Sequence, residues 1–245
     1  LILVLGGTAE ARELAAALHA RGIAVTSSLA GRVTRPRLPA GAVRVGGFGG
    51  PEGLRRWLCT HHVCAVVDAT HPFAERISAS AIAGCAAAGI PLLRLERPGF
   101  TQQPQDRWLW VDDLTEAALS IPRHGERVLL TTGRQGLAAF AGDRRTWFVI
   151  RCVDPPDPPL PPRHALILDR GPYTVEGELA LIDRHRIDLL VTKDSGGAAT
   201  AAKLEAARKR RLPVIVVRRP PRAGARTVPT VAQALDWALA QLPAG

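Results

Sequence analysis

The chain opens on five consecutive apolar residues, Leu1–Leu5, and runs straight into Gly6-Gly7. A segment apolar at every position reads as a strand buried on both faces, as in a parallel sheet covered by helices. Residues 9–20 follow with Leu14 and Leu18 at helical spacing, and Gly22 stops them. The alternation continues with strands at 23–28 and 42–45, a helix at 53–60, a strand at 63–68, a helix at 74–88 closed by Gly89, and a strand at 92–95. Pro98 to Gln105 is polar and turn-rich, which marks a boundary. The pattern then restarts with strands at 128–131, 147–151, 165–168, 189–192 and 214–217 and helices at 136–141, 175–185, 198–209 and 231–242. The proline-rich run 154–162 between them reads as loop.

Strands alternating with helices predict an α/β fold with parallel sheets and right-handed crossovers. A faint internal repeat sharpens this. Residues 62–68, a turn, an Ala-rich helix and Pro91–Leu95 are matched by 185–191, a turn, an Ala-rich helix and Pro213–Val217. The expectation is two related, doubly wound lobes, residues 1–100 and 101–245.

Length and composition narrow the class. The 245 residues suit one large or two small domains, and 47% are hydrophobic. No apolar run reaches about 18 residues, and Leu1–Leu5 is too short and lacks the basic flank of a signal peptide. The expected compartment is the cytoplasm, with no membrane partner. The cysteines, Cys59, Cys64, Cys85 and Cys152, form no C-x-x-C pair and have no histidine at ligand spacing, so no metal is expected. Cys64 and Cys85 read as small buried hydrophobes.

Charge changes the picture more. The formal net charge is +10, nearly all from arginine, the lysines being Lys193, Lys203 and Lys209. Such an excess attracts polyanions. Aromatics are only 4% and are not interleaved with a basic stripe, which disfavours single-strand nucleic-acid binding. An anionic small substrate and an arginine-rich genome are the other sources of such a bias.

In doubly wound sheets ligands sit beyond the carboxyl ends of the strands, and those ends select the candidate residues. Gly6-Gly7-Thr8 joins the first strand to a helix. Glycine lets the backbone approach an anion, the helix N-terminus offers N–H groups, and Thr8 can cap the helix and donate to a phosphate. The G-x-G-x-x-G fingerprint is absent. The second strand ends in Ser27-Ser28-Leu29-Ala30-Gly31-Arg32, without the acid that holds NAD ribose, so a 2′-phosphate suits it better. Asp68-Ala69-Thr70-His71-Pro72-Phe73 closes another strand, and Thr192-Lys193-Asp194-Ser195-Gly196-Gly197 is its counterpart in the second half. Each has a bland alternative: a tight turn, a structural histidine, or a Lys193–Asp194 ion pair.

These segments resemble the precorrin-6A reductase family of cobalamin biosynthesis. The resemblance is carried by Leu3–Arg12, Asp68–Ala74, Gly171-Pro172-Tyr173-Thr174 with Glu176, and Val191–Gly197, in that order along nearly the whole chain. It implies two Rossmann-like lobes with a cleft between them, residues 1–100 binding coenzyme and 101–245 binding substrate, with NADPH as hydride donor and precorrin-6A, a polycarboxylate tetrapyrrole, as acceptor. Hydride would go to C19 and a proton to C18, giving precorrin-6B. The coenzyme residues expected are Gly6, Gly7, Thr8, Glu10, Ser28, Ala30, Gly31, Arg32, Gly47, Thr70 and His71. Substrate would be held by Arg76, Arg134, Arg151, Arg170, Tyr173, Thr174, Lys193, Asp194, Ser195 and Gly196, with arginine forks on carboxylates. His71 and Lys193 are the candidate proton donors. Transient contact with neighbouring pathway enzymes is a further expectation. The competing readings are a cobalt-precorrin-6A reductase, a non-redox phosphate-binding α/β protein and, from charge alone, a nucleic-acid binder.

Overall fold

The computed structural model describes residues 1–31, 38–222 and 224–242. The chain divides into two compact units, Leu1–Pro98 with Pro220–Gly245, and Gly99–Arg219. Unit 1 contains β1 (Ile2–Leu5), α1 (Ala9–His19), β2 (Val25–Leu29), β3 (Ala42–Val45), α2 (Gly50–Thr60), β4 (Ala65–Asp68), α3 (Glu75–Ala88), β5 (Leu92–Leu95), β12 (Arg226–Val228) and α7 (Val231–Leu239). Unit 2 contains β6 (Arg107–Val111), α4 (Leu114–Ser120), β7 (Arg127–Leu130), β8 (Trp147–Cys152), β9 (His164–Leu168), α5 (Val175–His185), β10 (Leu189–Lys193), α6 (Ala202–Lys209) and β11 (Pro213–Val217).

Each unit is built on a six-stranded, wholly parallel sheet. The orders are β12-β5-β4-β1-β2-β3 and β6-β11-β10-β7-β8-β9. Unit 1 follows the nucleotide-binding order 3-2-1-4-5-6; in unit 2 strands β7–β11 are arranged in the same way, and β6, first in its chain order, takes the place of the sixth strand. Five strands of each sheet are consecutive in sequence. The sixth is supplied differently: β6 opens unit 2, whereas β12 joins unit 1 only after the chain has passed through unit 2. The chain between residues 101 and 245 is therefore not one continuous lobe. Residues 220–245 return to unit 1, where β12 pairs with β5 and α7 packs beside α1. The internal repeat is real in three dimensions: β4-α3-β5 and β10-α6-β11 occupy matching places in the two sheets.

Side-chain alternation along the strands divides unit 1 into two apolar layers. Ile2 and Val4 of β1 point to one face and meet Leu14 and Leu18 of α1 and Ala234 and Ala238 of α7. Leu3 and Leu5 point to the other and meet Leu54 and Leu58 of α2 and Ala81 and Cys85 of α3. In unit 2, Leu129, Val149, Leu190, Val214 and Val216 pack against Ile182 of α5 and Leu204 and Ala207 of α6. Cys85 and Cys152 are buried, which pushes both thiols up, Cys85 to about 12. Cys64, expected to be buried, is half-exposed beside Leu1. No helix among the described residues is long and apolar enough to cross a membrane.

Three elements had no clear sequence signal. β6 and α4 fall between the boundary at 98–105 and the strand expected at 128, where no element was expected, because Arg107-Trp108-Leu109-Trp110-Val111 is a half-exposed edge strand with weak contrast. β12 is three residues long. The helix expected at 198–209 splits into a 3-10 turn, Ala198–Thr200, and α6.

Unit 2 also buries charge. Arg151 donates to Glu178 at 2.5 Å, with both side chains almost fully enclosed. Lys203, on the first turn of α6, is 4% exposed, and its ammonium lies 5.9 Å from the Phe100 ring. Glu178 Oε2 is buried without a hydrogen-bond partner among the described residues. Desolvation, reinforced by Arg151 and opposed by Glu178, pulls the Lys203 pKa down to about 7.

Two stability predictions follow from this packing. Gly53 sits on α2, where an added Cβ would run into the Phe48 backbone carbonyl. Gly53→Ala should destabilise unit 1 by about 1–3 kcal/mol, seen as a lower melting transition by calorimetry; an unchanged transition would show that α2 can shift freely. Lys203 binds fewer protons folded than unfolded between pH 7 and its ordinary 10.5, so its burial penalty is full below about 7 and fades as pH rises. Lys203→Met should therefore unfold later than wild type at pH 7. The gap should narrow by about 1.4 kcal/mol per pH unit above that. A gap independent of pH would show the ammonium to be solvated.

Candidate functional site

The carboxyl ends of β1, β2, β3 and β4 lie together along one edge of the unit 1 sheet, because all four run parallel. β1 and β4 are adjacent here, and the chain leaves them toward opposite sides of the sheet, which opens a crevice for a ligand. Gly6, Gly7 and Thr8 make the β1–α1 turn. Gly6 N–H is tied to Ser28 O at 2.9 Å. Gly7 has φ +116°, a conformation for glycine, and nothing lies within 4 Å of where a Cβ would stand. That open space at a helix N-terminus fits an anion. Thr8 caps α1 by accepting from Ala11 N at 3.1 Å, and its hydroxyl hydrogen goes to Ala69 O at 2.7 Å. The side-chain donation to a phosphate expected of Thr8 is thus replaced by a strut to the β4 loop. Glu10 pairs with Arg97 at 2.7 Å.

At the next loop, Ser28 Oγ accepts from Arg44 Nη1 at 2.8 Å. The same guanidinium donates to Gly46 O and Gly47 O at 2.9 and 3.1 Å and lies over the Phe48 ring at 3.7 Å. Partial burial lowers its pKa, and it stays a cation at any ordinary pH. Arg44 is a residue the sequence reading passed over as part of a weak strand. Its signal was its register: Arg44 pairs with Ser28 across β2 and β3. Ala30 and Gly31 are exposed, Gly31 at φ +71°, and an added Cβ at Gly47 would meet open space. Arg32 lies outside the described residues.

The β4–α3 loop is held from beneath by Asp68. Its Oδ1 accepts from Thr70 N at 3.2 Å and Thr70 Oγ1 at 2.6 Å, and its Oδ2 accepts from Ser78 Oγ at 2.6 Å. His71 Nδ1 accepts from Phe73 N at 3.2 Å, so the neutral ring carries its hydrogen on Nε2. Arg76 is exposed on the first turn of α3, in unit 1.

In unit 2 the corresponding ends are those of β7, β8, β9 and β10. Arg134 follows β7 and is close enough to Cys152 to act on its thiol electrostatically. Arg151 is not a surface cation: it is spent on Glu178 and stacks on Tyr173 at 3.8 Å. Tyr173 donates to Asp169 O at 3.1 Å, and burial raises its pKa. Arg170 lies on the same β9–α5 loop, half-buried, and Thr174 caps α5 by accepting from Gly177 N at 3.1 Å. After β10, Lys193 is half-buried, Ser195 is buried, and Gly196 takes φ +62°. The Asp194 carboxylate is taken by Phe100 N–H at 2.8 Å and by Arg219, whose Nε is 3.4 Å away.

The expected coenzyme residues among those described thus gather at the carboxyl edge of unit 1, and the expected substrate residues, Arg76 apart, at that of unit 2. Comparison with known proteins supplies the context for this arrangement. Residues 1–239 match the family model described as precorrin-6x reductase CbiJ/CobK. A precorrin-6A reductase of Rhodococcus erythropolis is 52% identical over 96% of each chain. One of Mycobacterium tuberculosis is 49% identical over 99% of this chain and 98% of its own. The solved structure of a CobK precorrin-6A reductase superimposes with a TM-score of 0.92 at 41% identity, covering 98% of this chain and 96% of that one. The chain belongs to the precorrin-6x reductase family.

Proposed function

We propose that this reductase of cobalamin biosynthesis takes hydride from NADPH and reduces precorrin-6A to precorrin-6B, hydride adding to C19 and a proton to C18. The observation that carries the coenzyme assignment is the end of β2. No acid stands there to hold an unphosphorylated ribose; Ser28 does, hydrogen-bonded to the fixed cation Arg44. The Gly7 turn fits a pyrophosphate, since its backbone can be approached closely and α1 presents its N-terminus. Thr70 and His71 would face the nicotinamide end, and the neutral His71 ring carries in Nε2–H the type of donor that an amide oxygen or a developing negative charge takes. When bound, the coenzyme supplies a hydride; the chain's own task is to fix its position.

Unit 2 would hold the substrate. Arg134, Arg170 and Lys193, with Arg76 from unit 1, are the proposed partners for its carboxylates, and the +10 net charge steers such a polyanion. Tyr173, propped by Arg151, and the Asp194-Ser195-Gly196 turn complete the loops. His71 and Lys193 are the proposed proton donors. Soluble use of a coenzyme and a tetrapyrrole fits a cytoplasmic enzyme. The metal-free substrate is preferred over the cobalt-bearing one because a cobalt-precorrin-6A reductase of Priestia megaterium is only 32% identical, against 52% and 49% for the precorrin-6A reductases above.

Two measurements test this reading. NADPH absorbance should fall on adding precorrin-6A to the pure protein and not on adding its cobalt complex; a folded protein that binds NADPH yet turns over neither would sink the assignment. Arg44→Ala should raise the KM for NADPH at least tenfold, the scale of one charge-assisted hydrogen bond, and leave that for NADH nearly unchanged. Equal losses would remove Arg44 from 2′-phosphate recognition.

A further inference from the structure

The chain returns from unit 2 to unit 1 through Arg219-Pro220-Pro221-Arg222, an arginine on each side of two prolines. In unit 1, Arg222 Nη2 donates to the carbonyl of His71 at 2.9 Å, and its Nη1 lies 3.6 Å from Glu96 Oε2. The backbone of Arg222 is held in turn: Arg94 Nη1 donates to its carbonyl at 3.3 Å. Arg94 is 2% exposed, and its Nε lies 3.8 Å from Asp68 Oδ2, the carboxylate that fixes Thr70. The loop carrying Thr70 and His71 is thus fastened by Asp68 on one side and by Arg222 on the other.

In unit 2, Arg219 Nε donates to the carbonyl of Asp194 at 2.8 Å and faces its carboxylate at 3.4 Å. The same carboxylate receives Phe100 N–H, from the segment by which the chain entered unit 2. The loop carrying Lys193 and Ser195 is therefore fastened by both crossing segments.

Two guanidiniums and two carboxylates lie together here, Arg94 and Asp68 buried and Arg222 and Glu96 half-buried. Apolar side chains of similar volume would stabilise such a site at least as well, whereas directed hydrogen bonds fix a loop carbonyl in place. Proline fixes φ near −65° and restricts the residue before it, so the segment between the two latches has few conformations.

We infer that Arg219-Pro220-Pro221-Arg222 is a positioning element of the reductase: Arg222 sets the Thr70–His71 loop, and Arg219 sets the Lys193–Ser195 loop. Neither arginine need touch coenzyme or substrate. The inference rests on the proposed function for the roles of the two loops, and on geometry alone for the latches.

The test is amide hydrogen exchange on the full chain without ligands, followed by steady-state kinetics. In Arg222→Ala, the amides of Thr70, His71, Phe73 and Ala74 should exchange about tenfold faster, the scale of one lost hydrogen bond, while β1 and β4 keep wild-type rates. Arg222→Lys, which keeps a donor for the His71 carbonyl, should recover part of the protection. Arg219→Ala should act likewise on residues 194–197 and spare β7 and β10. Kinetically, Arg222→Ala should raise the coenzyme KM more than it lowers kcat, and Arg219→Ala should raise the substrate KM. Faster exchange spread evenly through a unit would assign the arginine to bulk stability, and unchanged exchange would show that it holds nothing; either overturns the inference. Wild-type protein that binds no NADPH would overturn the proposed function instead, whatever the exchange rates of the latches.

Discussion

Each unit depends on the burial of one strand on both faces. β1 is hydrogen-bonded to β2 on one side and β4 on the other, and its four residues are fully enclosed between two helical layers. β7 fills the same place in unit 2, between β8 and β10. A large or charged side chain at the end of a strand so placed would be costly to bury. Its chain therefore leaves through glycine or short hydroxyl residues at the carboxyl edge: Gly6-Gly7-Thr8 after β1, Thr131-Thr132-Gly133 after β7. The loops proposed to bind ligands collect at that edge as a consequence of the same burial.

The loops themselves are stiffened by polar groups turned inward. Asp68 is 1% exposed and satisfied by Thr70 and Ser78; Thr8 ties the β1 turn to the β4 loop; Arg44 gathers two loop carbonyls and a serine onto one guanidinium. Buried polar contacts of this kind add little net stability but select one loop geometry over others. Several residues with the chemistry of a ligand contact have that supporting task instead. Thr8 and Arg151 spend their donors inside their own unit.

This explains which parts were legible in the sequence. Long apolar runs such as Leu1–Leu5 and Val63–Val67 announce buried parallel strands, and glycine at the strand ends announces turns. Edge strands are half-exposed and carry little contrast, so β6 and β12 did not stand out. The return of residues 220–245 to unit 1 had no local signal, because β12 would read the same in either sheet; only its pairing with β5 decides. Among candidate residues, position along the chain found the loops, but the pairing of a side chain across a sheet was invisible. Arg44 was missed because its partner Ser28 is 16 residues away, and Arg151 was over-read because Glu178 is 27 residues on.

The late arrival of β12 and α7 bears on the order in which the protein is made. Unit 1 begins with residue 1 but lacks its sixth strand and the helix that covers α1 until residues 226–239 exist. Unit 2, residues 99–219, has all its strands in hand before that. During synthesis on the ribosome the second unit can close first, reversing the usual N-terminal-first order. Val228, Ala234, Leu235 and Ala238 then seal a core whose first strand left the ribosome more than 200 residues earlier.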